Sequence, residues 1–410
     1  MLGVIEIAMN LRLIILLFTF LHLSNLYSQD FTPLTKKEKI ADFKYLYSAL
    51  KETYPYFGVN KRMNGVDWLS NKHNYLKRIK SSSNDTIFYQ EINQMMLDLH
   101  SGHSDTYPTI IYNYFLEGYT QAAKEDSMYL AMVEELKLSS SDQCKHWTGI
   151  DEYLNSKDNS DSSQNNQDEI HQQNSNVSME FNVEKSIAYI SIRSFSYDLI
   201  EEDKDTLCYF FKKAYEFDNL VIDIQGNGGG STEYWEDNIV AHLINKNVSY
   251  QTITAFKKND RVKRFKPYSQ PNTPLSAICN LPGLPDELKT GEFNFQSSTN
   301  TVKAISKDQK YTGKIYLLVD HSVFSSAEAF AFFCKATHFA KVVGTQTNGA
   351  GVGSDPVLLT LPNSGIVIRY TVEMGLNPDG SSNEEKKTQP DIKLNGKTRE
   401  KRKKEIIDLI

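Results

Sequence analysis

Residues 314–344, KIYLLVDHSVFSSAEAFAFFCKATHFAKVVG, constrain the fold more than any other stretch. The apolar run from Ile315 to Val319 predicts a buried strand, and Asp320 and His321 end it. Ser325 and Ser326 then stand directly before a helical pattern with Ala327, Phe330, Phe333 and Cys334 on its apolar side. A serine on such a turn has two readings. It caps the helix, with Glu328 three residues on as a capping box. Or its hydroxyl, held out of the sheet beside the first helical amides and the positive dipole end, is a nucleophile.

Two further segments favour the second reading. LVIDIQGNGGGSTEYWEDNIV (220–240) is a second buried strand, Leu220 to Ile224, running into Gly226, Gly228, Gly229 and Gly230. Such a cluster turns the backbone sharply and brings bare amides close to a ligand. It is no phosphate cradle, because no Gly-Lys-Ser/Thr follows. Nucleophile and amide-rich loop together are two parts of an acyl-transfer site. The third segment, MMLDLHSGHSDTYP (95–108), places His103 in a polar turn after an amphipathic helix. Histidine is the default general base near neutral pH.

With these segments in order, the chain resembles the tail-specific, or C-terminal-processing, serine peptidases. It is most similar to their branch without a catalytic lysine, which includes the tricorn core and the interphotoreceptor-retinoid-binding-protein modules. The resemblance rests on DLHSGHS, SIAYISIRSFS (186–196), LVIDIQGNGGG, the SSAE turn, VVGTQTNGAG (342–351) and GSSNEEKKTQPDIKL (380–394). It implies Ser325 as nucleophile and His103 as base. The implied oxyanion donors are the amides of Ser326 and of Gly228 or Gly229. The implied acidic residue is Glu384, with Glu385 as the near alternative. Three positions depart from the family pattern. Where lysine-dependent members carry Phe-Gly-Lys-Gly, this chain reads Asn348-Gly349-Ala350-Gly351, which excludes a Ser–Lys dyad there. Gly102 stands in place of a serine before the histidine, leaving Ser104 or Ser101 to orient it. The usual Asp-x-Arg before the glycines is Asp223-Ile224-Gln225.

The implied fold is α/β, a crotonase/ClpP-like core with a helical N-terminal domain. The expected layout is a signal peptide over 1–28, a helical region carrying the base over 29–110, an insertion with a low-complexity linker over 111–178, and the α/β core over 179–410. The signal peptide is read from Arg12, the apolar run Leu13–Leu21 and the Asn25–Ser28 cleavage region, with Met9 as an alternative start. The run is shorter than the ~20 apolar residues of a membrane span, so no stable anchor is expected. An extracytoplasmic location, periplasmic or secreted, follows. Residues Ser139–Ser178 are rich in Ser, Asn, Gln and Asp and are expected to form a loop or linker. The terminal KTREKRKKEIIDLI is expected to be a helix with one charged face.

Four cysteines in 410 residues make no disulfide framework, and a net charge of −6 gives no reason to expect nucleic-acid binding. Polypeptide is the expected substrate, with no metal or organic cofactor implied. Two rival functions remain. One is a metallohydrolase using Asp98, His100, His103 and Asp105. The other is a non-catalytic peptide- or ligand-binding protein on the same fold.

Overall fold

The computed structural model describes residues 32–107, 112–161, 175–266, 271–308 and 310–410; the signal-peptide expectation lies outside them. The described residues begin with four helices, α1 Lys36–Thr53, α2 Phe57–Asn64, α3 Lys72–Ser81 and α4 Asp85–Leu97. Helix α1 opens with a complete capping box between Thr35 and Glu38. Phe43, Leu46, Tyr47 and Leu50 recur at helical spacing and are buried. The helix ends at Tyr54, whose extended backbone suits the residue before Pro55. The short strand β1 (Asp105–Thr106) follows, then helices α5 Tyr112–Glu125, α6 Leu130–Leu138 and α7 Ser141–Asp161.

The core sheet has six strands: β2 Val177–Asn182, β3 Ile187–Ile192, β4 Asn219–Asp223, β7 Lys314–Val319, β8 Lys341–Gly344 and β12 Ile392–Lys393. Their order is β12-β8-β7-β4-β3-β2. All neighbours are parallel except β2 and β3. The central strands read as continuous apolar runs because both faces are covered. One face packs helices α8 Leu199–Ala214 and α9 Ser326–Thr337 through Phe211, Phe330 and Phe333. The other face packs the last helix, α10 Arg399–Leu409, through Ile406. Truncating a fully buried phenylalanine such as Phe330 to alanine costs about 3–5 kcal/mol.

Two antiparallel sheets complete the fold. Strand β5 (Val248–Lys257) pairs with β6 (Phe293–Val302) and β11 (Glu373–Leu376). Strand β10 (Val367–Tyr370) joins β9 (Val357–Thr360) to β1. Through β1 the segment carrying His103 is stitched to the C-terminal third of the chain. The N-terminal helices share one apolar core with Phe295, Leu359, Ile368, Tyr370 and Met374. The helical region therefore has no core of its own.

The expected α/β core with a helical N-terminal region is present. The linker expected over Ser139–Ser178 is not, over 141–161: there the chain is helix α7. Its polar composition hides a sparse apolar stripe, Cys144, Trp147, Ile150 and Leu154, at spacings that keep one face inward. Trp147 is fully buried and its Nε1 donates to the Ser364 carbonyl at 2.8 Å. The basic stretch 256–266 is less solvated than its charge suggests. Val262 and Phe265 are buried, and Lys266 forms a buried ion pair with Glu373 at 2.7 Å. All four cysteines are free thiols. No helix among the described residues is long and apolar enough to cross a membrane.

Candidate active site

The turn between β7 and α9 places Ser325 at φ 56°, ψ −125°. A non-glycine residue at positive φ stores about 1–3 kcal/mol of strain and persists only when its surroundings impose it. Here they do. Ser325 N donates to the Gly349 carbonyl at 3.2 Å, and Asn348 N to the Val323 carbonyl at 2.7 Å, so the Asn348–Gly351 loop fixes the turn from one side. Ser325 makes no side-chain cap bond to α9. Glu328, the other half of the expected capping box, is buried and turned away; its Oε1 accepts from Thr388 Oγ1 at 2.7 Å and Asn383 Nδ2 at 3.0 Å. The capping reading is therefore not realised, and the Ser325 hydroxyl bonds to nothing among the described residues. Among the described residues, four of the six non-glycine residues with positive φ, His100, Ser325, Ala350 and Lys387, belong to the loops that meet here.

The glycine loop after β4 fixes the turn from the other side. A Cβ on Gly229, at φ +102°, would lie 2.8 Å from the Phe324 carbonyl oxygen, 2.9 Å from Ser325 Cβ and 2.9 Å from Ser326 N. Only glycine lets this backbone close on the turn. The amide of Gly229 is already donated to Asn227 Oδ1 at 2.9 Å. The amides of Gly228 and Ser326 have no backbone or side-chain acceptor among the described residues, and Gly228 is exposed. Between the two glycines offered by the sequence, Gly228 is thus the free donor and Gly229 the close spacer. Gly229→Ala is expected to lower turnover about 100-fold or more and to lower the thermal midpoint, read by steady-state kinetics and a melting curve.

His103 reaches the turn through Phe324. Their ring centroids are 4.6 Å apart. A Cβ on Gly102 would lie 2.7 Å from Phe324 Cζ, so a serine there would crowd the ring that His103 packs on. This gives the Gly102 departure a steric reason. Burial, with Arg369 nearby, pushes the His103 pKa down to about 4. Arg369 is itself held by the Asp105 carboxylate. Glu384 lines a cleft of about 140 Å³ together with Tyr54, Tyr56, His100, Gly102, Phe324, Asn348 and Lys387. Burial raises its pKa to about 7, while the Ser101 hydroxyl beside it and Lys387 oppose the shift. Tyr54 is fully buried, with its hydroxyl near Ser101 and Ser104 but in no completed hydrogen bond. Ser104 Oγ is also buried without a partner. Glu385, the alternative acid, is occupied elsewhere: it pairs with Arg62 at 2.7 Å on the surface.

The possible metal cluster does not form. Asp98 accepts from Tyr75 and Gln94, and Asp105 is taken by Arg369. Among the described residues no three histidine, cysteine, aspartate or glutamate groups converge. Several residues around the site were not singled out from the sequence. Phe324, Tyr54 and Lys387 are among them; Lys387 Nζ donates to Asn348 Oδ1 at 3.0 Å. Only their nearness to recognised motifs pointed to them.

Comparison with known proteins fits this geometry. The sequence profile of peptidase family S41 matches residues 186–394, half of the chain. The chain belongs to peptidase family S41. No curated protein sequence matches it significantly. Among solved structures, the S41 fold is matched by a putative peptidase from Parabacteroides merdae. That match has a TM-score of 0.56 at 16% identity and covers 90% of this chain and 96% of the other. Mature CPAF gives a TM-score of 0.56 at 12% identity, covering 91% and 96%. At these identities the likeness is one of fold. The S41 match makes the protein a peptidase and polypeptide its substrate class. It spans the glycine loop, Ser325 and Glu384, whereas His103 lies outside it.

Proposed function

We propose that this peptidase is a serine endopeptidase that cuts unfolded or C-terminal polypeptide segments through an acyl-enzyme. The observation that carries the reading is Ser325. It is a strained, uncapped serine at a helix head, next to the free amide of Ser326 and closed on by the glycine loop that carries the free amide of Gly228. Ser325 Oγ attacks the scissile carbonyl carbon while His103 takes the hydroxyl proton. The two amides hold the oxygen of the tetrahedral intermediate. The C–N bond breaks, the proton passes from His103 to the departing amine, and an ester remains on Ser325. Water, deprotonated by His103, hydrolyses that ester and restores the serine.

Glu384 supports this cycle electrostatically through Ser101 and Tyr54, the groups between it and the histidine segment. Its carboxyl, raised to about 7, gains its charge only as pH passes neutrality. Its negative charge favours the imidazolium formed in the transition state. Turnover is therefore expected to rise with pH through about 7. Glu384→Gln is expected to lose about 10–100-fold and to lose that limb of the profile. A Glu385→Gln variant should keep both, because its carboxylate faces Arg62.

The protein is read as exported, from residues 9–28, and amino-terminal sequencing of mature material should begin at or near Gln29. The activity itself is tested by incubating the protein with a reduced, unfolded polypeptide and weighing the products intact. Internal cleavage is expected. Intact substrate, or trimming one residue at a time from an end, would contradict an endopeptidase.

A further inference from the structure

We propose that Arg402, on the C-terminal helix α10, is a positioning residue that locks the oxyanion loop to the nucleophile turn. The inference rests on the peptidase reading above. The two free amides at the site belong to different loops, Gly228 after β4 and Ser326 after β7. An oxyanion site works only if its donors hold their spacing to about 0.5 Å. Something must tie the loops together, and Asp320 does so. Its Oδ1 accepts from Gly226 N at 3.0 Å, in the glycine loop, and from Ser322 N at 3.1 Å, in the serine turn. Asp320 is buried, and its other oxygen accepts from Arg402 Nη2 at 2.9 Å.

The same guanidinium reaches the other loop. Arg402 Nε donates to Gln225 Oε1, and Nη1 to the Gly396 carbonyl at 3.0 Å. Gln225 is fully buried and the Arg402 side chain is 6% exposed. One turn earlier on the helix, Arg399 bonds Asp223 at 3.3 Å, below the same loop. Position 225 is where the family pattern carries an arginine. Here a glutamine accepts a hydrogen bond from an arginine that arrives from 177 residues further along. Arginine bonds Gln225, Gly396 and Asp320 from three separated nitrogens of one planar fork, a reach that the single nitrogen of a lysine lacks. A buried carboxylate stripped of this partner would turn toward water and release the amides of Gly226 and Ser322.

The test uses Arg402→Gln, Arg402→Lys, Ile406→Ala and the double variant Gln225→Arg/Arg402→Gln. Three readouts are needed: kcat and KM on one peptide, the rate of Ser325 labelling by a fluorophosphonate, and hydrogen exchange over 225–230 and 320–326. Arg402→Gln is expected to lower kcat and labelling rate together by about 10–100-fold, with KM within about twofold, and to speed exchange in both loops. Ile406 is fully buried on the same helix. Its truncation should lower the melting temperature while leaving kcat and loop exchange much less affected. The double variant should recover at least tenfold of the lost kcat. Arg402→Lys, which keeps the charge should the glutamine variant fail to fold, should still lose kcat. Wild-type kcat and labelling in a folded Arg402→Gln or Arg402→Lys would overturn the proposal. So would an equal kcat loss in Ile406→Ala. If the wild-type protein is not labelled at Ser325, it is the serine-peptidase reading that fails; unchanged loop exchange in Arg402→Gln would then overturn the positioning claim separately.

Discussion

Ser325→Ala is expected to reduce peptide turnover by roughly 10⁴–10⁶-fold and to leave the protein folded. The change removes one oxygen that bonds to nothing among the described residues and relieves no contact that the helix needs. Its neighbour is the control. Ser326 Oγ donates to the Ser231 carbonyl at 2.8 Å, away from the reacting position. The proposed role of Ser326 rests on its amide, which alanine keeps, so Ser326→Ala should retain activity within about tenfold. Steady-state kinetics on both variants, with a melting curve for each, decide the register of the turn. If the two variants exchange behaviours, the hydroxyl of Ser326 is the nucleophile.

His103→Ala should lose turnover by at least about 10³-fold, because the proposed mechanism routes every proton transfer through its imidazole. The pH profile adds a second check. An unperturbed histidine would place the rising limb near ~6.5. Packed on Phe324 and facing Arg369, His103 instead holds its proton only below about 4. The sign follows: a histidine with a lowered pKa is already neutral, and so already a proton acceptor, at every pH above about 4. The limb near neutrality therefore belongs to Glu384. In Glu384→Gln the remaining limb should fall near 4, and Arg369→Gln should move it upward by removing a repelling charge. His100→Ala should keep most activity: His100 lines the same cleft, but its Nδ1 is engaged by the Asp98 carbonyl. Wild-type turnover in His103→Ala would end the serine–histidine mechanism.

What the sequence showed, it showed through local pattern. The strand, turn and helix around Ser325, the glycine loop and the helical repeat of α1 are each written in consecutive residues whose spacing matches one backbone geometry. The parts it hid are those made by distant residues meeting. Gly102 looked like a lost serine until the Phe324 ring took up its space from 222 positions away in the sequence, a pairing that no spacing rule encodes. Gln225 looked like a lost arginine until Arg402 reached it from the last helix. Gly228 and Gly229 were equivalent as letters; only the Asn227 side chain, by taking the Gly229 amide, separates a donor from a spacer. Helix α7 was masked for another reason. Its few apolar residues are diluted by Ser, Asn and Asp, so average composition outweighed a stripe that one buried tryptophan anchors.

The central claim, a nucleophile at Ser325, is tested most directly by covalent capture. The protein is treated with a fluorophosphonate, digested, and the adduct located by mass spectrometry. The expected result is one modified residue, Ser325, with labelling lost in Ser325→Ala and slowed in His103→Ala and Gly229→Ala. Labelling confined to another residue, or peptide cleavage that continues undiminished in Ser325→Ala, would contradict it.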